Sequence, residues 1–306
     1  MSGDIIGINW GSTNFRAYRI TADGVDVDRL ESPAGIATLD RAGMVALIAQ
    51  VAARWPDVER RYASGMIGSN IGWVDAGYAD CPVTADVLRA ALRPCRIGDV
   101  DVTVVPGIAC RRARDGAPDI MRGEETELFG LLASHSSAEP PLQGLVALPG
   151  THTKWVRVAD GSIVDFLTCM SGEIYDRLTA AGLLKSIVEG EAREGVVFAR
   201  AVRTGFERGL GLAALLFGAR ARVIRGDLDR TDAASHLRGL LIGAEIADAL
   251  SLFPQLARGM TPLIGSSAVG RLYHAALAEL GFASRAIDSR LVACRGFLAL
   301  DAALTT

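Results

Sequence analysis

Two short stretches carry residue types suited to holding an anion. Gly11-Ser12-Thr13-Asn14 follows the apolar run from Ile5 to Trp10, and Gly150-Thr151-His152-Thr153-Lys154 follows the apolar run that begins at Leu145. A glycine turn at a strand end can point successive backbone N–H groups into a concavity, and serine and threonine hydroxyls add donors suited to phosphate oxygens. Each turn leads into an alternating segment and then an Ala-Asp-Gly corner, at 22–24 and 159–161. Taken singly, either turn reads better as an ordinary β-hairpin, which uses the same residues. Their repetition with matching flanks favours two phosphate-gripping turns. Neither is a Walker A loop, because the chain has no Gly-x4-Gly-Lys-Ser/Thr string. The only lysines are Lys154 and Lys185 in a chain that otherwise uses arginine, so a compact ammonium inside the second turn suggests a chemical reason.

Other chemistries find less support. Five cysteines are scattered without a CxxC pair, which reads as reduced core cysteines, and the four histidines form no pair at metal-ligand spacing. The string from Gly209 to Ala214 matches the loose dinucleotide pattern GxGxxA. It falls within a helical pattern and follows no strand, so it reads as tight helix packing and a nicotinamide enzyme is rejected. The serines in "IGSSAVG" do not form a GxSxG nucleophile elbow.

The elements that must position the two turns alternate between strand and helix patterns, which predicts an α/β architecture. Strands are expected over 5–10 and 15–21, a helix over "AGMVALIAQVAARW", and a strand running into a glycine-rich loop over "RYASGMIGS". A further strand is expected in "DVTVVPG" and a helix in "RGEETELFGLLAS", with Glu124 and Glu125 in the first turn, where acids suit the helix dipole. "RLTAAGLLKSIVEG", "AVRTGFERGLGLAALLFGARARV" and "ASHLRGLLIGAEIADALSLF" read as helices, "TPLIGSSAVGRLYHAALAELG" as strand, glycine turn and helix, and "CRGFLALDAAL" as a closing helix. With 306 residues, half of them hydrophobic, the chain can bury one large core or two medium ones. The duplicated hairpins place the seam in "SSAEPPLQG" and a ligand in a cleft between two domains. The expected division is 1–140, with a helix over 289–306 packing back on it, and 141–288. A net charge of -3 without like-charge blocks gives no case for nucleic acid or an anionic membrane surface. With no leader or spanning stretch, a cytoplasmic location is expected.

The ordered set "NWGSTNFRAY", "SGMIGSNIGW", "MRGEETELFG", "LPGTHTKW", "FERGLG", "GLLIGAEIA" and the Gly265 turn resembles the 2-dehydro-3-deoxygalactonokinase family. That family belongs to the sugar kinase, heat-shock protein 70 and actin superfamily. The resemblance implies a two-domain actin-like ATPase (ribonuclease H-like) fold with duplicated mixed-sheet domains and an interdomain cleft. It also implies ATP and Mg²⁺ as cofactors and a small sugar-acid substrate. The activity implied is phosphorylation of the terminal hydroxyl of 2-dehydro-3-deoxy-D-galactonate. By the same resemblance Gly11, Ser12, Thr13 and Asn14 are the first phosphate turn, and Gly150, Thr151, Thr153 and Lys154 the second. Gly265 and Ser266 serve the adenosine side, and the loop from Gly65 to Asn70, with Gly68, Ser69 and Asn70, receives the acceptor.

Within that frame Lys154 could supply a mobile positive charge, or face water as an ordinary strand lysine. The acceptor hydroxyl needs a base. Glu125, with Glu124 second, holds the position where the superfamily often places its carboxylate, though both could simply complement the helix dipole; His152 reads as a turn residue. Arg16 and Arg122 are candidates for the substrate carboxylate and Asn70 for a hydroxyl, and each could equally serve in an ion pair. Asn9 stands where the family carries an aspartate expected to hold Mg²⁺ through water. Asparagine keeps an acceptor oxygen and loses the charge. That departure leaves open a nucleotide-binding pseudokinase or regulator, and "RGEETEL" leaves open an exopolyphosphatase-like phosphohydrolase. A homo-oligomer is compatible with the sequence and not deducible from it.

Overall fold

A computed structural model describes residues 3–134, 142–265 and 268–301. Contacts divide the chain into two units, one comprising 1–143, 158–165 and 288–306, the other 144–157 and 166–287.

The first unit is organised around β1 (Ile5–Trp10), which is apolar on both faces because both are covered: Ile5, Ile6, Ile8 and Trp10 are fully buried. β2 (Phe15–Ile20) returns antiparallel to β1, and β3 (Asp26–Ser32) pairs antiparallel with β2. The expected hairpin is therefore a three-stranded meander, its corner made by Gly24 at φ +80°. Helix α1 (Arg41–Arg54) starts at Asp40, whose carboxylate accepts from Gly43 N–H, and it buries Met44, Leu47, Ile48 and Val51 at helical spacing. These pack on the sheet face that carries Ile6, Ile8 and Trp10. β4 (Arg61–Gly65) then pairs parallel to β1.

Beyond β4 come β5 (Tyr78–Asp80), α2 (Ala85–Ala90), β6 (Arg93–Ile97), β7 (Val100–Val104), β8 (Gly107–Arg111), β9 (Pro118–Met121) and α3 (Glu124–Ala133). The main sheet has the order β3-β2-β1-β4-β7-β6, and β5-β8-β9 form a separate small sheet that sequence patterning did not reveal.

In the second unit β10 (Gly144–Leu148) is the central strand, followed by β11 (Thr153–Ala159) and β12 (Ser162–Cys169), whose distal ends at 158–165 group with the first unit. Helices α4 (Ser171–Ala180), α5 (Val196–Glu207), α6 (Leu212–Arg225) and α7 (Arg230–Leu252) precede β13 (Thr261–Ile264), α8 (Ala268–Glu279) and β14 (Ser284–Ile287). The order β12-β11-β10-β13-β14 reproduces β3-β2-β1-β4-β7, so the duplication extends from the turns to the sheets. The last helix, α9 (Ser289–Ala299), belongs to the first unit and packs on α3. Glycines set that approach: a Cβ at Gly296 would lie 1.8 Å from Thr126 O, and one at Gly130 1.7 Å from Val292 O. Phe297 of α9 also fills the space over Gly7 of β1.

Two helical expectations require correction. "RLTAAGLLKSIVEG" breaks after Ala180, where Gly182 adopts φ +76° and a short 3-10 turn follows at Leu184–Ile187. The long pattern from 201 to 223 is two helices, α5 and α6, separated where Arg208 turns left-handed at φ +53°. The GxGxxA string therefore begins in a joint between helices, and Cβ atoms at Gly209 and Gly211 would meet open space, so tight packing does not explain them. The close approach lies elsewhere, between α5 and α7. Cβ atoms at Gly205 and Gly243 would sit 2.2 Å from Leu240 O and 2.1 Å from Val202 O.

Candidate active site

In the first unit the turn after β1 is closed by Gly11 N–H donating to Asn14 O at 2.9 Å. It is backed by the segment at 35–37, where Ile36 and Ala37 N–H donate to Gly11 O and Ser12 O, each at 3.0 Å. A Cβ at Gly35 would lie 2.1 Å from Ser12 O, so only glycine lets this strap run beneath the turn. Ser12, Thr13 and Asn14 are exposed, and Asn14 Nδ2 donates to Thr13 Oγ1 at 3.0 Å.

Asn9, one residue from the end of β1, is in register with Arg16 on β2 and Ser64 on β4, so the three side chains share one sheet face. Asn9 is half-buried, Arg16 exposed and Ser64 fully buried. The Asn9 carboxamide and the Ser64 hydroxyl have no hydrogen-bond partner among the described residues.

The start of α3 lies against the end of β4: a Cβ at Gly123, itself at φ +106°, would be 3.4 Å from Gly65 Cα. From there α3 presents three glutamates. Glu124 Oε2 accepts from Arg122 N–H at 3.1 Å, and Glu125 Oε2 accepts from Gly123 N–H at 2.6 Å. Glu125 is 0% exposed, and its Oε1 has no partner among the described residues. Burial, reinforced by the Glu124 carboxylate, pushes its pKa up to about 8, against the opposing hydrogen bond from Gly123 and the charge of Arg122. A buried carboxylate oxygen with no donor costs stability, and such groups concentrate at functional sites. Sequence reading missed Glu127, although it completes the acidic run. Glu127 accepts from Ser289 Oγ, the first residue of α9, at 2.6 Å, and burial raises its pKa to about 7 against that hydrogen bond and the charge of Arg16.

The loop after β4 is a tight turn. Gly65 adopts φ +93°, Ser69 N–H and Oγ both reach Met66 O, at 3.1 and 2.7 Å, and Ala76 N–H donates to Gly68 O at 3.0 Å. Ser69 thus spends its hydroxyl on the loop, whereas Asn70 is exposed. Arg122 packs against this loop. Its Nη2 donates to Gly77 O at 2.9 Å, its guanidinium stacks 4.4 Å over the Tyr78 ring, and a Cβ at Gly68 would lie 2.9 Å from its Nη1. Its Nε and Nη1 are buried without partners among the described residues.

In the second unit, Gly150, Thr151 and His152 form a turn seated on the first residues of α4. Glu173 N–H donates to Thr151 O at 3.0 Å, and a Cβ at Gly172 would lie 2.3 Å from Gly150 O. His152 Nε2 pairs with Glu173 Oε2 at 2.6 Å, which lowers the Glu173 pKa. Thr151 is exposed. Lys154 is buried with Nζ donating to His152 O at 3.2 Å, so it does not face water. Thr153 is fully buried, its hydroxyl paired with Tyr273 Oη at 2.8 Å. The Gly265 turn adopts φ +134° and lies alongside, a Cβ there being 4.0 Å from Pro149 O; Ser266 is outside the described residues. Beside it a cavity of about 520 Å³ opens between α4, α7 and α8, lined by Tyr175, Lys185, Arg238, Ala268, Val269 and Leu272. Arg238, 8% exposed, stacks 3.8 Å over the Tyr175 ring, and its Nε is unpartnered among the described residues. That cavity was not legible in sequence.

A central strand with a meander on one side, a parallel crossover strand on the other, and a glycine-hydroxyl turn at its end, built twice, defines the actin-like ATPase class to which sugar kinases belong. The chain belongs to the 2-keto-3-deoxy-galactonokinase (DGOK) family, whose model matches residues 9–300. It is 35% identical over 297 residues to a Rhizobium meliloti (strain 1021) protein named "Probable 2-dehydro-3-deoxygalactonokinase", covering 94% of this chain and 93% of the relative. It is 34% identical over 251 residues to the Escherichia coli (strain K12) 2-dehydro-3-deoxygalactonokinase, covering 81% and 80%. The crystal structure of "a putative 2-dehydro-3-deoxygalactonokinase protein" from Sinorhizobium meliloti superposes with a TM-score of 0.86 at 32% identity, over 98% of this chain and 99% of that one. The activator of a 2-hydroxyisocaproyl-CoA dehydratase from Clostridium difficile shares the fold alone, with a TM-score of 0.51 at 13% identity over 99% and 96% of the chains. Among the described residues no helix is long and apolar enough to cross a membrane, and no cluster of three or more His, Cys, Asp or Glu side chains could hold a metal ion.

Proposed function

We infer that this protein is an ATP-dependent kinase that phosphorylates the 6-hydroxyl of 2-dehydro-3-deoxy-D-galactonate, giving 2-dehydro-3-deoxy-6-phosphogalactonate in galactonate catabolism. The observation that carries the reading is family membership over residues 9–300. The site chemistry supports it. In the reaction the acceptor oxygen forms a bond to the γ-phosphorus, the bridging P–O bond to ADP breaks, and the hydroxyl proton leaves to a base. Glu125 Oε1 is the proton acceptor: Oε2 is already held by Gly123 N–H, and Oε1 is left without a donor. A carboxylate whose pKa is raised toward the working pH is a stronger base when ionised.

Arg122 receives the substrate carboxylate. It offers two unpartnered guanidinium nitrogens beside the Gly65–Asn70 loop, with Asn70 exposed to meet a hydroxyl. Arg16 adds positive charge on the face shared with Asn9. The exposed hydroxyls and N–H groups of Ser12, Thr13, Asn14 and Thr151, with Gly11 and Gly150 shaping their turns, hold phosphate oxygens. Lys154 fixes its turn through His152 O, and Thr153 acts from beneath. The cavity next to the Gly265 turn is of a size to take the adenosine, with apolar contact from Val269 and Leu272.

The donor set fits Mg²⁺ that arrives on the nucleotide, which the Asn9 carboxamide oxygen would help to hold; among the described residues no cluster of carboxylates would hold a metal by itself. When bound, the ion neutralises phosphate charge. The test is to incubate the protein with Mg-ATP and the sugar acid and identify the product. One added phosphoryl group by mass, located on carbon 6 by phosphorus-coupled NMR, is expected; unmodified sugar acid, or phosphate on another carbon, overturns the reading.

A further inference from the structure

The second unit buries a carboxylate that phosphoryl transfer does not use. Glu245 lies on α7, 3% exposed, at the meeting point of four elements. It accepts from the Trp155 indole N–H of β11 at 2.8 Å, from the Tyr273 hydroxyl of α8 at 2.9 Å, and from the Ser171 hydroxyl at the start of α4. Tyr273 Oη is also 2.8 Å from Thr153 Oγ1, and Gly150 N–H points to the same Thr153 oxygen at 3.4 Å. A chain of polar contacts therefore runs from Glu245 to the backbone of the Gly150–Lys154 turn.

The direction of the hydrogens in that chain follows from the charge on Glu245. When it is ionised, Trp155, Tyr273 and Ser171 each give it their proton. Tyr273 Oη can then only accept from Thr153, which leaves the Thr153 oxygen free to accept Gly150 N–H. When it is protonated, its O–H must donate to Ser171 or Tyr273, because an indole N–H cannot accept. A Tyr273 proton displaced in this way turns toward Thr153 or toward Ser171 Oγ, 3.0 Å away; on Thr153 it reverses that hydrogen bond, so the Thr153 oxygen accepts from both Tyr273 and Gly150 N–H and must redirect its own proton.

We propose that Glu245 is a positioning residue whose ionised carboxylate sets the donor direction of the Tyr273–Thr153 relay and thereby holds the Gly150–Lys154 turn in its phosphate-binding shape. The role rests on the nucleotide reading of that turn. Ser171 works in the same direction, since it begins the helix on which Gly150 and Thr151 sit. The surroundings give the carboxylate a titration near neutrality. Burial raises it to about 7, against the three hydrogen bonds that favour the charged form. From α8 it faces the Tyr273 phenol, while β11 and α4 present the neutral Trp155, Thr153 and Ser171. On its own helix Asp248 adds negative charge, paired with Arg208 from the end of α5.

Glu245→Gln imitates the protonated state, and Tyr273→Phe cuts the relay while leaving the charge. Binding of a non-hydrolysable ATP analogue and of the sugar acid is measured by calorimetry for both variants and the wild type from pH 5.5 to 8.5. The ratio of variant to wild-type Kd cancels titration of the nucleotide. For Glu245→Gln the nucleotide Kd should be about tenfold weaker at pH 8 and approach the wild-type value at pH 5.5, with the sugar-acid Kd unchanged. Tyr273→Phe should weaken nucleotide binding at pH 8, where the relay is intact, and lose the wild-type dependence on pH. A nucleotide Kd equal to wild type at pH 8 in Tyr273→Phe, or a Glu245→Gln ratio independent of pH, overturns the positioning role alone. No nucleotide binding by the wild type overturns the reading on which it rests.

Discussion

Replacing Glu125 by glutamine separates the effect of its buried ionisable group on stability from the part proposed for it as proton acceptor. The glutamine oxygen can still take the Gly123 N–H that Glu125 accepts at 2.6 Å, so the first turn of α3 keeps its geometry and only ionisation is lost. The folded-state pKa is about 8 against an ordinary 4.5, so between those values the folded protein binds more protons than the unfolded chain. Stability supplied by the neutral form is therefore lost as pH rises through that window. At ~1.4 kcal/mol per pKa unit, and with titration incomplete at both ends, the wild type loses about 3 to 4 kcal/mol from this group between pH 5 and pH 8. The side chain is 0% exposed, so solvent does not screen the effect. Glu125→Gln lacks the loss, and its urea-unfolding free energy relative to wild type should rise by about 3 to 4 kcal/mol from pH 5 to pH 8. Titrations common to both proteins, those of Glu127 and Glu245 included, cancel in the difference. Activity should move the opposite way. Turnover falls by roughly 10²–10⁴-fold, and the wild-type rise of kcat/KM with pH toward about 8 disappears. A variant as fast as wild type, or a stability difference that does not change with pH, would refute the reasoning.

Three further perturbations probe the rest of the site. Asn9→Asp restores a charge on the face shared with Arg16 and Ser64, and should tighten Mg²⁺ dependence by about 1–3 kcal/mol, read as a roughly 5- to 150-fold lower half-saturating Mg²⁺; an unchanged titration would remove Asn9 from metal placement. Arg122→Lys keeps the charge but loses the planar donors, so KM for the sugar acid should rise about 10- to 100-fold while KM for ATP stays put; equal changes in both would point to a folding role. Val269→Trp fills the cavity beside the Gly265 turn and should raise KM for ATP about tenfold without affecting the sugar acid, whereas unchanged ATP kinetics would place the base elsewhere.

The parts of the fold legible in sequence were those written as local pattern. β1, β4 and α1 announce themselves through apolar runs and spacing, and the two glycine-hydroxyl turns through their repetition. Strand β3 was missed because its solvent-facing alternation, with Asp26, Asp28, Arg29 and Glu31, offers little apolar signal. The break between α5 and α6 was missed because helical periodicity continues across Arg208, and only its left-handed backbone reveals the joint. At the site, Glu124 and Glu125 could be named from their place at a helix start, but not which is buried; that depends on how α3 packs in three dimensions, as in its close approach to α9 through Gly130 and Gly296, which are far apart in sequence. The Glu245 network was hidden for the same reason. Its members come from β11, α4, α7 and α8, and no one stretch of sequence holds more than two of them.

The most direct test of the kinase assignment is ADP release from Mg-ATP under three conditions: with 2-dehydro-3-deoxygalactonate, with its gluconate epimer, and with no acceptor. Turnover that requires the galactonate compound is the expected result. ADP release at the same rate without acceptor, or none in any condition from a folded protein that binds ATP, would contradict it.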